Sequence, residues 1–196
     1  PSLAAAQGFR VTANAATSWD RDISLNSQGI PKIAVQPVGA IRIAGQSFAF
    51  SVEATGTPLE YQWRFNGLNI AGANAATLEL ASVEQSNAGA YEAYIKNPFG
   101  NILSDVASLV VHYTLDVAGA GRGAVTHTPE LVSYPNRARV VLNATPSKGY
   151  VFTGWSGAAS GAANPLAVTM DANKSITGSF TRDVVPPEYR SVEINT

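Results

Sequence analysis

From residue 32 onward apolar and polar residues alternate with a period of two, the pattern of half-buried strands. The alternation predicts strands at Ile33–Gln36, Phe48–Ala54, Leu59–Phe65, Ala76–Ala81, Ala90–Lys96 and Ile102–His112. Between them lie GTP, NG and NPFG, where Gly and Asn tolerate positive φ and Pro presets φ. A second series starts at Tyr113. YTLDVAG is followed by GAGRGAV, read as a glycine-rich hairpin, then by Ala138–Pro146, Gly149–Trp155, Asn164–Met170 and Lys174–Phe180. No helical stripe exceeds about two turns. The two series meet near His112–Tyr113 with almost no linker, so little slack is expected between them. The ends differ. Residues 1–32 hold FRVTANA (Phe9–Ala15) and SWDRDISL, and residues 183–196 hold DVVPPEY and RSVEINT, so either arm is able to pair as a strand.

Several spacings in the first series coincide. Gly45 precedes the second strand, where Phe48, Phe50 and Val52 alternate inward; Gly56-Thr57-Pro58 turns the chain; Trp63 lies in YQW; Asn66-Gly67 turns again; Leu78 and Leu80 face a core; and Asn87-Ala88-Gly89-Ala90-Tyr91 leads into a strand. On these residues, positions 33–112 resemble a bacterial immunoglobulin-like domain of the intermediate-set kind. That resemblance implies a β-sandwich with Trp63 in its core and Tyr91 at the tyrosine-corner position. The chain departs from the family with Val52 and Ala93 at the two cysteine positions and Asn87 where Asp is usual. A bridge there would constrain the unfolded chain by about 3–4 kcal/mol. One buried aliphatic side chain contributes only about 1.5–3 kcal/mol. Turns, the remaining core and neighbouring segments are expected to make up the difference.

The second series carries Gly123-Ala124-Val125, Pro129, Tyr134, VVLNATP (Val140–Pro146), GYVF (Gly149–Phe152), GWSG (Gly154–Gly157), NPL (Asn164–Leu166), MDANK (Met170–Lys174) and a closing Phe180. In this order the blocks make residues 113–182 similar to the divergent form of the internalin-type B repeat. That family is a small β-grasp-like unit in bacterial surface and secreted proteins, occurring mostly as a spacer or interaction module without a shared active site. The expected fold class is therefore all-β: an immunoglobulin-like sandwich at 33–112 and a small β-grasp-like domain at 113–182. An extended N-terminal arm at 1–32, able to donate a strand, and a C-terminal arm at 183–196 flank them. The two resemblances together imply a bacterial extracytoplasmic protein.

Composition narrows the function classes. Charged residues are only 14% of the chain and the net charge is −1, without a basic cluster, so a nucleic-acid partner is not expected. The absence of cysteine removes disulfides, thiolate metal sites and a cysteine nucleophile, while leaving the compartment open. No apolar run approaches bilayer length. The PSLAAAQGF start has neither the basic nor the long apolar region of a complete signal peptide, as expected of a processed N-terminus or a cut in a longer protein.

Candidate chemistry is sparse. His112 and His127 are the only histidines, and zinc wants three or four converging ligands, so both are read as surface or hinge residues. Asp20 and Asp22 in Trp19-Asp20-Arg21-Asp22 lack the further oxygens calcium requires and are read as a solvated turn. Gly119, Gly121 and Gly123 do not open a helix and so make no phosphate loop. Alternation points Glu53, Glu60, Glu79 and Glu92 outward, away from any shared cleft, and no G-x-S-x-G elbow exists. Asn143 and Asn173 begin glycosylation sequons, read as chance. Aromatic residues remain. Tyr134, Tyr150, Phe152 and Trp155 cluster in the second series, mostly as core, and Phe99 tips a hairpin with little core beneath it.

These readings lead to a non-catalytic extracellular or cell-surface structural or adhesive protein, with no cofactor or metal. Its expected partners are other copies of itself, neighbouring surface modules or glycans. The candidate interaction residues are Phe99, Trp19, Trp155, Phe9 and Val11. Strand addition between copies through the arms would build a filament. The alternative is a carbohydrate-binding or spacer region of a secreted polysaccharide-degrading enzyme.

Overall fold

Strands at period two, broken by Gly, Asn and Pro turns, account for almost all of the regular structure. The structure, a computed structural model, describes residues 29–184. Most of both predicted arms, with Phe9, Val11 and Trp19, lies outside the described residues. The first series forms β1 (Lys32–Val35), β2 (Ala40–Ile43), β3 (Phe48–Ser51), β4 (Glu53–Thr55), β5 (Glu60–Phe65), β6 (Leu68–Asn69), β7 (Thr77–Leu80), β8 (Gly89–Asn97), β9 (Gly100–Leu103) and β10 (Ala107–Tyr113). On one side β1 pairs with β4 and β3 with β7; on the other the order is β6-β5-β8-β10, with β9 also on β8 and β2 parallel to β10. This is an immunoglobulin-like sandwich. Phe50, Val52, Trp63, Val83, Tyr91, Ala93, Ile95, Leu109 and Val111 are buried in its core. The tyrosine corner is formed, with the Tyr91 hydroxyl donating to the Asn87 carbonyl at 2.8 Å.

Val52 and Ala93, at 2% and 0% exposure, share one core with fully buried Trp63, which Ala93 faces across the β5–β8 ladder. Aromatic pairs surround them. Phe50 stacks on Tyr91 at 4.4 Å between centroids, Phe48 meets Phe50 edge-on at 4.8 Å, and Phe65 packs on Tyr91 at 4.9 Å. Such pairs add about 0.5–1.5 kcal/mol each beyond their buried area.

Two predicted strands are divided. Phe48–Ala54 breaks at Val52, whose N–H donates to the Ala76 carbonyl, because the chain changes partner there from β7 to β1. Ile102–His112 breaks after Leu103, where one extra residue is accommodated between the pairs Tyr94↔Leu103 and Tyr91↔Ala107. Buried Ser104 fills the gap: its Oγ accepts from the Ala93 N–H at 2.8 Å and donates to the Asp105 carbonyl at 2.9 Å. Strand β2 is absent from the sequence expectation. It is too short for a period to stand out, and its register is tertiary, set by the approach of Gly39 to β10. A Cβ on Gly39 would stand 2.5 Å from the Ser108 carbonyl oxygen.

The second series forms β11 (Leu115–Ala120), β12 (Gly123–Thr128), β13 (Tyr134–Pro135), β14 (Arg139–Pro146), β15 (Tyr150–Gly157), β16 (Leu166–Thr169) and β17 (Lys174–Arg182). Its sheets are β11-β17-β15, in which β11 and β17 run parallel, and β12-β14-β16, which is antiparallel. Tyr134, Val140, Leu142, Trp155, Met170, Ile176 and Phe180 form a core of their own.

The predicted glycine-rich hairpin at 119–125 is corrected. Strands β11 and β12 do not pair; they enter different sheets. Gly121, at φ +97°, turns the chain directly over Phe180, where a Cβ would overlap the Phe180 carbonyl oxygen. The glycines serve a crossing between sheets, a tertiary demand that local turn chemistry does not distinguish from a hairpin.

Candidate functional site at the joint and the exposed edges

One strand belongs to both cores. Along β10, Ala107, Leu109 and Val111 point into the first core and Tyr113 continues the same face into the second. Beyond Leu109, where the β8 pairing ends, β13 takes the place beside β10 through His112↔Pro135 and Tyr113↔Tyr134. The first sheet thereby extends into the second unit. Only Thr114 separates β10 from β11.

Side chains pin this joint. Asn173, in the turn before β17, donates to the Ala44 carbonyl at 2.9 Å, and its Oδ1 accepts from the Thr114 N–H at 3.0 Å. Ala44 packs on both cores. The Tyr113 hydroxyl donates to Gln85 Oε1 at 3.3 Å, and His112 Nδ1 lies 3.0 Å from Ser133 Oγ. Sequence reading missed Asn173 as a joint residue. Its signal was present in the MDANK block, but an Asn in a turn does not name its partner.

The same turn holds an ion pair, Lys174 Nζ to Asp171 Oδ1 at 2.6 Å. The ammonium, by its hydrogen bond first and its charge second, lowers the Asp171 carboxyl below its ordinary 3.8. A lowered folded-state value means the pair's contribution is present above the unfolded value and is lost as pH falls through the folded one. In an NMR titration, Asp171 is expected to protonate below pH 3.8, and Lys174→Met to return it toward the ordinary value. An unchanged Asp171 titration in that variant would remove the assigned cause.

The candidate residues separate clearly. Phe99 is 38% exposed at the tip joining β8 and β9, the end of the sandwich away from the joint. Asn97 organises that tip: its Oδ1 accepts from the N–H groups of Phe99 and Gly100, and its Nδ2 donates to the carbonyls of Gly29 and Gly56. Trp155 is corrected as an interaction residue. It is 5% exposed, packs on Phe152 at 4.9 Å, and donates Nε1–H to the Ala163 carbonyl at 2.7 Å, so it has no open face for a sugar. Tyr134 is buried as well, with its hydroxyl holding Pro129 and Leu131. His127 lies within β12, opposite Leu142. Among the described residues no group of three or more His, Cys, Asp or Glu converges to hold a metal.

Exposed backbone offers more than any pocket. The link from β6 to β7 makes no strand, so β7 has only β3 beside it. A groove of about 610 Å³ runs along that free side, lined by residues 70–75 and 77–80. Elsewhere, Ile41 and Val110 are adjacent exposed apolar residues on the outer face near the joint, and Leu131 and Val132 are also exposed.

Comparison with known proteins gives partial matches. Mouse cartilage intermediate layer protein 2 is 31% identical over 115 residues, 56% of this chain and 10% of that protein, so the chain spans about a tenth of the length of this curated relative. Among solved structures, titin M4 is 24% identical, with a TM-score of 0.39, over 42% of this chain and 96% of that one. Titin domains I67–I69, as an E-to-A variant, give 14% identity and a TM-score of 0.43 over 79% of this chain and 65% of that one. Sidekick-1 immunoglobulin domains 1–5 give 15% and 0.42 over 76% and 38%. The sandwich assignment rests on the strand order and cores described above. The second unit carries the family signal: residues 113–184 match the model of the divergent InlB B-repeat domain.

Proposed function

We propose that this protein is a non-catalytic extracellular structural or adhesive unit, a stiff two-part rod that joins copies of itself end to end by β-strand addition. The observation that carries the reading is the shared strand β10, whose single inward face serves both cores. A joint built into a sheet resists bending in a way a flexible linker does not. The path of the chain agrees. Gly29 is held by Asn97 at one end of the first sandwich. Strand β17 starts at the joint, where Lys174 N–H donates to Thr114, and Asp183 N–H reaches the Gly149 carbonyl at the opposite end. The chain thus enters at one end and leaves at the other, the arrangement a spacer or filament unit requires. The similarity of residues 113–184 to the B repeat supports an extracellular setting. No helix among the described residues is long and apolar enough to cross a membrane, which says nothing of a β-barrel.

Light scattering combined with small-angle X-ray scattering over a concentration series tests this. The expected result is a mass that rises above one chain while the maximum dimension grows and the cross-section stays constant. Asn173→Ala, by removing the two side-chain hydrogen bonds that Asn173 makes at the joint, is expected to cost about 1–3 kcal/mol and to broaden the distance distribution of the single chain. A monodisperse monomer at every concentration overturns the assembly, and an unchanged distribution in Asn173→Ala overturns the pinned joint.

A further inference from the structure

The outer edge of β7 has the features of an acceptor for another strand. The Val52 N–H donates to the Ala76 carbonyl, and from that bond the antiparallel alternation directs the backbone of Leu78 and Leu80 toward β3. The N–H and C=O groups of Thr77 and Glu79 therefore face away from β3. Edges of this kind are normally blunted by charge, bulges, proline or shortness. Strand β1 begins at Lys32 and carries a register shift between Ile33 and Val35, and β6 is only two residues long. Strand β7, Thr-Leu-Glu-Leu, is as short as β1 and carries one charge, Glu79, but it has no Lys, Pro or bulge and keeps an unbroken register with β3. Beside it lies the groove whose far wall is Ile70, Ala71, Gly72, Ala73, Asn74 and Ala75, small enough to let a backbone approach.

We propose that this edge accepts an extended strand and that the strand is residues 190–196 of another copy of the chain; the inference rests on the assembly reading above and specifies its contact. RSVEINT alternates Val192 and Ile194 with Ser191, Glu193 and Asn195. That period matches β7, where Leu78 and Leu80 face the core while Thr77 and Glu79 are exposed. Main-chain hydrogen bonds supply the attraction and alternate side chains the register.

Reach selects another copy over the same chain. The nine residues of β17 carry the exit about 27 Å from the joint. Residues 183–189 span at most about 25 Å when extended. They fall short of an edge that lies on the far side of the joint. A neighbour placed head to tail brings its β7 to the exit, and a contact that joins unlike surfaces without closing a ring propagates.

The absence of native cysteine makes the test clean. Full-length chains carrying Thr77→Cys are mixed with full-length chains carrying Ser191→Cys, Glu193→Cys or Asn195→Cys and oxidised. Mixed dimers from at least one of these pairs are expected, several-fold above those with Val132→Cys, an exposed position near the joint and away from the exit. Glu79→Pro, which removes an outward N–H, is expected to abolish assembly with an unchanged Tm. Assembly without such mixed dimers, or assembly that survives Glu79→Pro, overturns β7 as the acceptor and leaves the filament reading standing. Preferential linkage to Val11→Cys chains overturns the donor. An intrachain disulfide in a dilute double variant overturns exchange between copies. A monomer at every concentration overturns the filament reading and this contact with it.

Discussion

Gly121→Ala is expected to destabilise the second unit by about 3–5 kcal/mol, the sum of left-handed backbone strain and an overlap with fixed backbone. Gly121 sits at φ +97°, and a Cβ there collides with the carbonyl of Phe180, a core residue whose strand β17 is central in its sheet. A flexible side chain would yield; a central-strand carbonyl does not. The loss is expected to be confined to the unit that holds the crossing. Urea unfolding followed by hydrogen exchange should show protection falling across β11, β15 and β17 while β5 and β8 keep most of theirs. Wild-type protection in β17 would mean that the crossing relaxes around the added methyl.

Trp63→Ala should cost about 3–5 kcal/mol in the first sandwich. A domain of this size has only about 5–15 kcal/mol in total, so a large part of its stability is lost. Trp63 is fully buried, faces Ala93 across the β5–β8 ladder, and donates Nε1–H to the Ala75 carbonyl at 3.0 Å. Removing it opens a cavity and orphans that carbonyl, in a sandwich with no bridge to limit the damage. The shared strand carries the effect onward: as β10 loosens, Tyr113 and the β13 pairing weaken too. Thermal unfolding should show the first sandwich melting earlier and the second unit losing a smaller amount. A second unit that melts at its original temperature would show that the joint transmits no stability.

Much of the fold was legible before the structure. Period two located the longer strands of both series but not the short β2, β6 and β13, and the spacing from Phe50 through Trp63 to Tyr91 placed those residues in the first core. The errors were places where the chain changes partner. Val52 continues its alternation without interruption, so nothing local marks the break there, whereas the polar pair Ser104-Asp105 does interrupt its run without saying which strands part company. Gly119, Gly121 and Gly123 announce a turn in either architecture; only the position of Phe180 decides that the chain crosses between sheets. Trp155 illustrates the limit for sites. Aromatic content identifies a ring able to bind sugar, whereas the loop that folds Ala163 over its indole determines that it is buried.

By itself the sequence determined the all-β character, the lack of disulfides, the two successive patterns and their meeting at His112–Tyr113, because hydrophobic period and turn chemistry are local properties. Tertiary structure alone decided that β10 serves both cores, that Asn173 pins the joint and that the edge of β7 is left open. Each of these depends on which strands become neighbours, a choice made by burial of the assembled faces between residues far apart in the chain.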